Sequence, residues 1–111
     1  MAKLGTVSFN GASGKKYEFN AYQWGTSFKE DYSVVYFVTK RSKNLEDGYS
    51  HKRIYVGQTE DISTRFDNHH KHDCFVQHKA NCICVHGEQD EDIRLEIEQD
   101  LIDNYNPPCN D

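Results

Sequence analysis

Two stretches decide the fold: Ser33-Val34-Val35-Tyr36-Phe37-Val38-Thr39 and Arg53-Ile54-Tyr55-Val56-Gly57. The first is a near-continuous run of β-branched and aromatic residues, which suits a central strand covered on both faces. The second is a shorter strand that closes on glycine. The interval from Lys40 to Ser50 is polar and carries Asp47-Gly48 as its turn signal. The pair therefore reads as an antiparallel hairpin with a long basic loop.

Outward from this pair, Thr6 to Tyr22 reads as a second hairpin. Val7 and Phe9, then Tyr17 and Phe19, alternate with polar residues on either side of Asn10-Gly11-Ala12-Ser13-Gly14. Residues 25–32 form an irregular connector. Downstream, Thr59 is placed to cap a helix. Glu60 and Asp61 fall in its first turn, where the helix dipole favours acids, and Ile62 and Phe66 lie four apart on its buried stripe. Residues 74–86, with Cys-Ile-Cys-Val at 82–85, supply a third strand after a short helix or turn. Glu88 to Asp92 opens a last helix that runs to Tyr105 and stops at Pro107-Pro108. The expected fold is α+β, an α/β sandwich. A small central antiparallel three-stranded sheet is flanked by helices and extended by an N-terminal β-hairpin. Residues 1–32 make up the hairpin and connector, and residues 33–110 the main domain.

The 111 residues carry 13 Lys+Arg against 18 Asp+Glu, a net charge of −5, and are 13% aromatic. One domain is expected at this size, and the aromatic content argues against disorder. No apolar stretch approaches the roughly 18 residues of a membrane span. Met-Ala-Lys-Leu-Gly-Thr-Val lacks the apolar run of a signal peptide. A cytoplasmic protein follows as the expectation, with reduced thiols at Cys74, Cys82, Cys84 and Cys109. His69, His70, His72, His78 and His86 crowd the same region, which raises zinc as an alternative. The spacings lack the paired CxxC knuckles of structural zinc sites, and Cys82 and Cys84 read as small buried hydrophobes.

Taken whole, −5 argues against a basic nucleic-acid binder. Its distribution reverses that. Residues 1–58 hold nine Lys+Arg and five Asp+Glu, a balance of +4, while residues 59–111 hold four and 13, a balance of −9. Lys40, Arg41, Lys43, Lys52 and Arg53 adjoin the two deciding strands, and surface fields follow distribution rather than totals. The pattern implies weak, salt-sensitive binding of a polyanion through one local basic face.

Several ionisable groups occupy unusual places. On a helical wheel Ile93, Leu95, Ile97, Leu101, Ile102 and Tyr105 share one broad arc, with Glu96, Asp100 and Asp103 outside it as solvated acids. Glu98 and Arg94 fall inside the arc. A carboxylate there needs a cation, a metal or several donors. It is either half of a structural Glu98–Arg94 pair at i, i+4 or a functional group. Arg65 and His69 flank the Ile62–Phe66 stripe in the same way. Arginine offers a fork of donors suited to phosphate, and the plain alternative is surface snorkelling. Tyr36 and Tyr55 lie mid-strand. They either pack with their hydroxyls at the core's edge or converge with Arg65, His69 and Glu98 on one phosphodiester.

Together these residues resemble the GIY-YIG nuclease family in the form of a small stand-alone domain. Val34-Val35-Tyr36 stands for the first half of the family motif, with Val34 in place of its glycine, and Tyr55-Val56-Gly57 for the second half. Arg65 and His69 match the landmarks of the following segment. Glu98, followed by Leu101-Ile102, matches the acid of the late helix, and Pro107-Pro108 and Asn110 match the domain end. His78 lies where some homing-endonuclease members carry a further histidine. The resemblance runs from about Ser33 to Asn110.

The resemblance implies a divalent-metal-dependent endonuclease that hydrolyses phosphodiester bonds, with DNA as the expected nucleic acid. It implies Glu98 as the single protein carboxylate on Mg²⁺ (or Mn²⁺). Tyr36 or Tyr55 positions or deprotonates the attacking water, Arg65 stabilises charge on the phosphate, and His69 relays a proton or accepts one from the tyrosine. Asn110 orients the metal-facing network, and Gly57 lets the chain approach and turn closely. Lys40, Arg41, Lys52, Arg53, Gly57, His78 and Asn110 are the expected substrate contacts. A lone domain of this kind draws extra affinity from a protein partner or a second copy. Two alternatives stand beside this one: a catalytically inactive module of the same fold that binds nucleic acid or a protein partner, and a zinc protein built on Cys74, Cys82, Cys84 and neighbouring histidines.

Overall fold

The computed structural model describes residues 3–46, 48–67 and 69–110. In chain order these form β1 (Lys3–Asn10), β2 (Lys16–Gln23), β3 (Val34–Lys43), β4 (Tyr49–Thr59), α1 (His72–Gln77), β5 (Cys82–Gly87), α2 (Glu91–Tyr105) and a closing 3₁₀ turn at Pro108–Asn110. The strands make one antiparallel sheet of five in the order β1-β2-β5-β3-β4. The α+β class holds, and the expected three-stranded sheet is corrected. Left alone, β5 would show a row of unpaired backbone groups on its outer edge. The N-terminal hairpin saturates that edge through pairs from Asn20↔Val85 to Gln23↔Cys82.

Strand β3 lies inside the sheet, and Val34–Thr39 are all buried. Alternate side chains enter two separate cores. Val34, Tyr36 and Val38 pack with Ile62, Phe75, Ile83 and Val85. Val35 and Phe37 pack with Phe9, Phe19, Cys82, Cys84, Ile97 and Leu101. The connector, the turns after β4 and α1 cover the first face, and α2 covers the second. β3 and β4 stay paired out to Lys43↔Tyr49, so the expected long basic loop is mostly a two-stranded ribbon. Asn44 closes its tip by accepting from the backbone N–H groups of Glu46 and Gly48 at 2.9 and 3.0 Å. Asp47, the expected turn residue, lies outside the described residues.

The helix expected from Thr59 onward is replaced by a series of turns among the described residues. Local side-chain bonds compete with helical ones here. Asp61 accepts from the Ser63 backbone N–H (2.9 Å) and hydroxyl (2.6 Å), and the Ile62 N–H goes to the Tyr32 carbonyl. Helix α2 forms as expected. Asp90 caps it by accepting from Asp92 and Ile93 N–H, and Asn106 ends it in the left-handed conformation at φ 43°.

The wheel misplaces two of its apolar residues: Ile93 and Leu95 are 40% and 42% exposed, whereas Arg94, placed on the buried arc, is 2% exposed. Arg94 donates to Gln58 Oε1 (3.0 Å) and to the carbonyls of Glu88 and Gln89 (both 2.9 Å), so it does not pair with Glu98. Asp100, expected to be a solvated acid, accepts from Ser13 N–H (2.9 Å), Ser13 Oγ (2.7 Å) and the Tyr17 hydroxyl (2.7 Å). It pins the N-terminal hairpin turn onto α2. Gly11 makes that approach possible, because a Cβ there would collide with the Asp100 carboxylate.

Cys74 on α1 and Cys109 in the closing turn form a disulfide, with Cα atoms 6.0 Å apart. This corrects the expectation of four reduced thiols; Cys82 and Cys84 are free. Cys74 and Cys109 belong to the first core, and Cys82 and Cys84 to the second. A single zinc cluster pooling Cys74 with Cys82 and Cys84 is therefore excluded, because the sheet stands between them.

The bond closes a sequence separation of 35 residues, which in the chain-entropy view constrains the unfolded state by up to about 4 kcal/mol. Urea unfolding with and without reductant should show a loss approaching that figure on reduction. A midpoint that reductant leaves unchanged would remove the bond from the stability of the fold.

Candidate active site

Tyr36 on β3 stands opposite Gly57 on β4. Tyr55, two residues before Gly57, projects from the same face of β4. The two phenol rings are 6.1 Å apart, tilted by 35°. They occupy the space above Gly57. A Cβ at residue 57 would meet the Tyr36 oxygen at 2.5 Å, its Cζ at 2.6 Å and Tyr55 Cε2 at 2.9 Å. Glycine is needed here for room above the strand rather than for freedom to turn.

The Tyr36 hydroxyl sits in a network of donors. Arg65 Nε–H donates to it at 3.1 Å, and His69 Nε2 lies 2.8 Å from it. The tautomer of His69 follows from its other nitrogen, which accepts from the Lys71 backbone N–H at 3.0 Å. A neutral imidazole with Nδ1 occupied as an acceptor carries its proton on Nε2. His69 therefore donates to Tyr36. Phe66 holds the imidazole flat, stacked within 14° at 5.6 Å, and meets the Tyr36 ring edge-on at 5.2 Å.

Electrostatics tie the remaining groups together. Burial pushes the Tyr36 phenol well above its ordinary value; Tyr55 raises it further, and Arg65 opposes the shift. Tyr55 is raised as well, by burial first, with Arg65 pulling down and Glu98 pushing up. Glu98 is half-buried, and that desolvation raises its carboxyl, while Arg65 and the backbone amide of Gln58 lower it. His69 is held down at about 4 by burial and by the nearby Arg65 charge. At neutral pH the site thus holds two protonated phenols, a neutral histidine and the Arg65 cation beside Glu98.

The other expected contacts divide by location. Alternation along the ribbon puts the cross-strand pair Lys40 and Lys52 on the tyrosine face. Arg41 and Arg53 lie on the opposite face, where their guanidinium groups cover the rings of Tyr49 (3.5 Å) and Tyr105 (4.6 Å). His78 sits beside the Cys74 and Cys109 sulfurs. Asn110 uses its whole amide on the edge strand: Oδ1 accepts from Val56 N–H (2.9 Å) and Nδ2 donates to Val56 O (2.8 Å). Its amide therefore steadies β4 below the tyrosines instead of facing a metal. Sequence reasoning missed Gln58, whose side chain accepts from buried Arg94 while its backbone amide assists Glu98. Its position directly after Gly57 was the available signal. Phe66 was read as core and is also the wall of the His69 pocket.

The family model described as the GIY-YIG catalytic domain matches residues 32–110. No curated protein and no solved structure matches the chain.

Gly57→Ala should destabilise the protein by about 1–3 kcal/mol through overpacking against both rings, measured by denaturant unfolding. Wild-type stability in that variant would show that the rings give way freely. A second outcome follows from His69. Below 6.5 the unfolded histidine takes a proton that the folded one refuses until about 4. Stability should thus fall across that window as pH drops, by on the order of 2 kcal/mol. The loss should be smaller in His69→Gln; an equal loss there would place the titration elsewhere.

Proposed function

The chain belongs to the GIY-YIG catalytic-domain family, and from that membership we propose that it is an endonuclease that hydrolyses phosphodiester bonds in DNA with the help of a divalent cation. The observation that carries the proposal is the Tyr36 oxygen. It accepts from Arg65 and His69 beside Tyr55 and the half-buried Glu98. We take residues 33–110 as the catalytic unit and residues 1–32 as the extension that completes its sheet.

The donor set fits a hard dication. Glu98 offers one half-buried carboxylate, and Mg²⁺ or Mn²⁺ that keeps most of its waters needs little more from the protein. Bound there, the cation would offset the Glu98 charge and supply Lewis acidity toward the phosphate. The chain's own residues divide the remaining work. Tyr36 and Tyr55 present phenol oxygens that orient the attacking water. Neither is a base at rest, because burial raises both. Arg65 pulls both phenols down and sits where charge develops on a phosphate oxygen. In our reading His69 stabilises a phenolate through its Nε2–H instead of taking the phenol proton, because accepting that proton would require Nδ1 to face the Lys71 N–H with a proton of its own. Lys40 and Lys52 steer the nucleic-acid backbone toward this face. With that pair as the cations on the tyrosine side of the ribbon among the described residues, a partner protein or a second copy would supply further affinity.

Plasmid and oligonucleotide cleavage with Mg²⁺ or Mn²⁺ tests the proposal. The cytoplasm would reduce the Cys74–Cys109 bond, so both redox forms belong in the assay. Wild type should nick or cleave, and chelator should stop it. Glu98→Ala should be inactive, and Arg65→Ala should lose about 100-fold or more in kcat. The Lys40→Ala/Lys52→Ala double variant should raise KM and flatten the salt dependence by about two units of slope. If no duplex, branched, single-stranded or RNA substrate is cut in either redox form, the nuclease proposal falls and the non-catalytic binding module takes its place.

A further inference from the structure

The face of the sheet turned away from the tyrosines carries a second group of reactive side chains that the nuclease chemistry leaves unused. Cys82 and Cys84 lie two apart on β5, so both point the same way into the core covered by α2. Both are fully buried. Their sulfurs are 4.0 Å apart, and Cys84 Sγ is also 4.0 Å from Nδ1 of His51 on β4. The three ligand atoms all fall within 4.8 Å of one another. Thr39, paired with Cys82 across the strands, has its hydroxyl 2.9 Å from His51 Nδ1, a hydrogen bond whose place an ion bound there would take.

We propose that His51, Cys82 and Cys84 form a binding site for a soft divalent ion of the zinc class, separate from the nuclease centre. The spacing suits the ion. A tetrahedral Zn²⁺ with Zn–S of about 2.3 Å and Zn–N of about 2.0 Å sets its sulfurs roughly 3.8 Å apart and its sulfur and nitrogen roughly 3.5 Å apart. The Cys82–Cys84 and Cys84–His51 separations, both 4.0 Å, need to close by only a few tenths of an ångström. Two thiolates and an imidazole are a soft set, which disfavours Mg²⁺ and favours zinc. Two thiolates also balance the charge of the ion, so the occupied site is neutral in an apolar core.

Access and coordination number point the same way. His51 is half-buried and lines a cavity of about 250 Å³ together with Leu4, Val7, Arg41 and Tyr49. An ion held by three protein ligands keeps a fourth position for water or an anion. The cavity on the His51 side is where that ligand would stand, with Arg41 beside it. The Tyr36 hydroxyl and Glu98 are not part of this site. Tyr36 belongs to the core on the other side of the sheet.

The test uses the protein with its disulfide intact, so that Cys74 and Cys109 cannot ligate. Co²⁺ is added as the probe, followed by Zn²⁺ competition and elemental analysis. One equivalent of Co²⁺ should produce thiolate charge-transfer absorption, and Zn²⁺ should displace it. Oxygen ligands at Glu98 cannot give that band, and Glu98→Ala should retain it. Cys84→Ala should abolish the band. His51→Ala, a change on the solvent side of the site, should weaken binding by at least about tenfold, the lower range for losing even an outer-shell partner. Circular dichroism checks that both variants remain folded. Three results would overturn the proposal: absence of the thiolate band in wild type, a band that survives in folded Cys84→Ala, or wild-type Co²⁺ affinity in His51→Ala. None of these depends on whether the protein cleaves nucleic acid.

Discussion

The Tyr36 ring occupies the space that any side chain at residue 57 would take. That contact sets the distances in the rest of the site. With bare backbone opposite, the phenol lies across β4 and its oxygen reaches the region where Arg65 and His69 donate. Tyr55, on the same face of the same strand, then closes over the site from one side, and Phe66 holds His69 from the other. A residue with a side chain at 57 would push the Tyr36 oxygen away from both donors at once. The pairing of tyrosine and glycine across two strands is thus a geometric requirement of the donor network.

How far the sequence could be read depended on how local each cause was. Strand β3 was legible because six residues in succession are buried, which leaves an apolar run in the sequence. Tyr36, Tyr55, Arg65, His69 and Glu98 were legible as polar groups in or beside apolar patterns. The order of the strands was not, since nothing in residues 6–22 shows that β2 will dock on the outer edge of β5. The helix after Thr59 failed for a reason that composition hides. Asp61 and Ser63 satisfy one another and the nearby backbone, so the segment turns without completing helical bonds. Arg65 and His69 nevertheless reach Tyr36, because what brings them there is the anchoring of Ile62 in the core below the sheet and not a helical repeat. The Cys74–Cys109 bond was invisible for the same reason as the strand order: spacing along the chain does not say which side of a sheet a residue will face.

Charge in this protein is organised by face. The basic ribbon made by β3 and β4 looks, in sequence, like one patch. Strand alternation divides it, leaving Lys40 and Lys52 with the tyrosines while Arg41 and Arg53 lie over aromatic rings on the far side. The acid of the second half of the chain is concentrated on α2, which covers that far side. A polyanion approaching the tyrosine face meets Lys40, Lys52 and Arg65, with the acids of α2 largely behind the sheet and Asp67 and Asp73 beside His69 on the near side. Glu98 brings a carboxylate of α2 round to this side.

The same alternation keeps two incompatible chemistries apart. On β5, Ile83 and Val85 face the tyrosine core, while Cys82 and Cys84 face α2. On β3, Val85 pairs with Tyr36, and Cys84 with Phe37. A slip of one residue between β5 and β3 would exchange the two sets, because side chains alternate with a period of two. It would place thiols beside the phenols and bury branched aliphatics against His51. Pairing with β3 alone would leave the outer edge of β5 unpaired. The hairpin of β1 and β2 holds β5 from that edge through four residue pairs, and Asp100 fastens the hairpin turn to α2. The N-terminal hairpin thus bears on the site at a distance: it adds four pairs to the six that hold β5 in the register deciding which side chains the tyrosines meet.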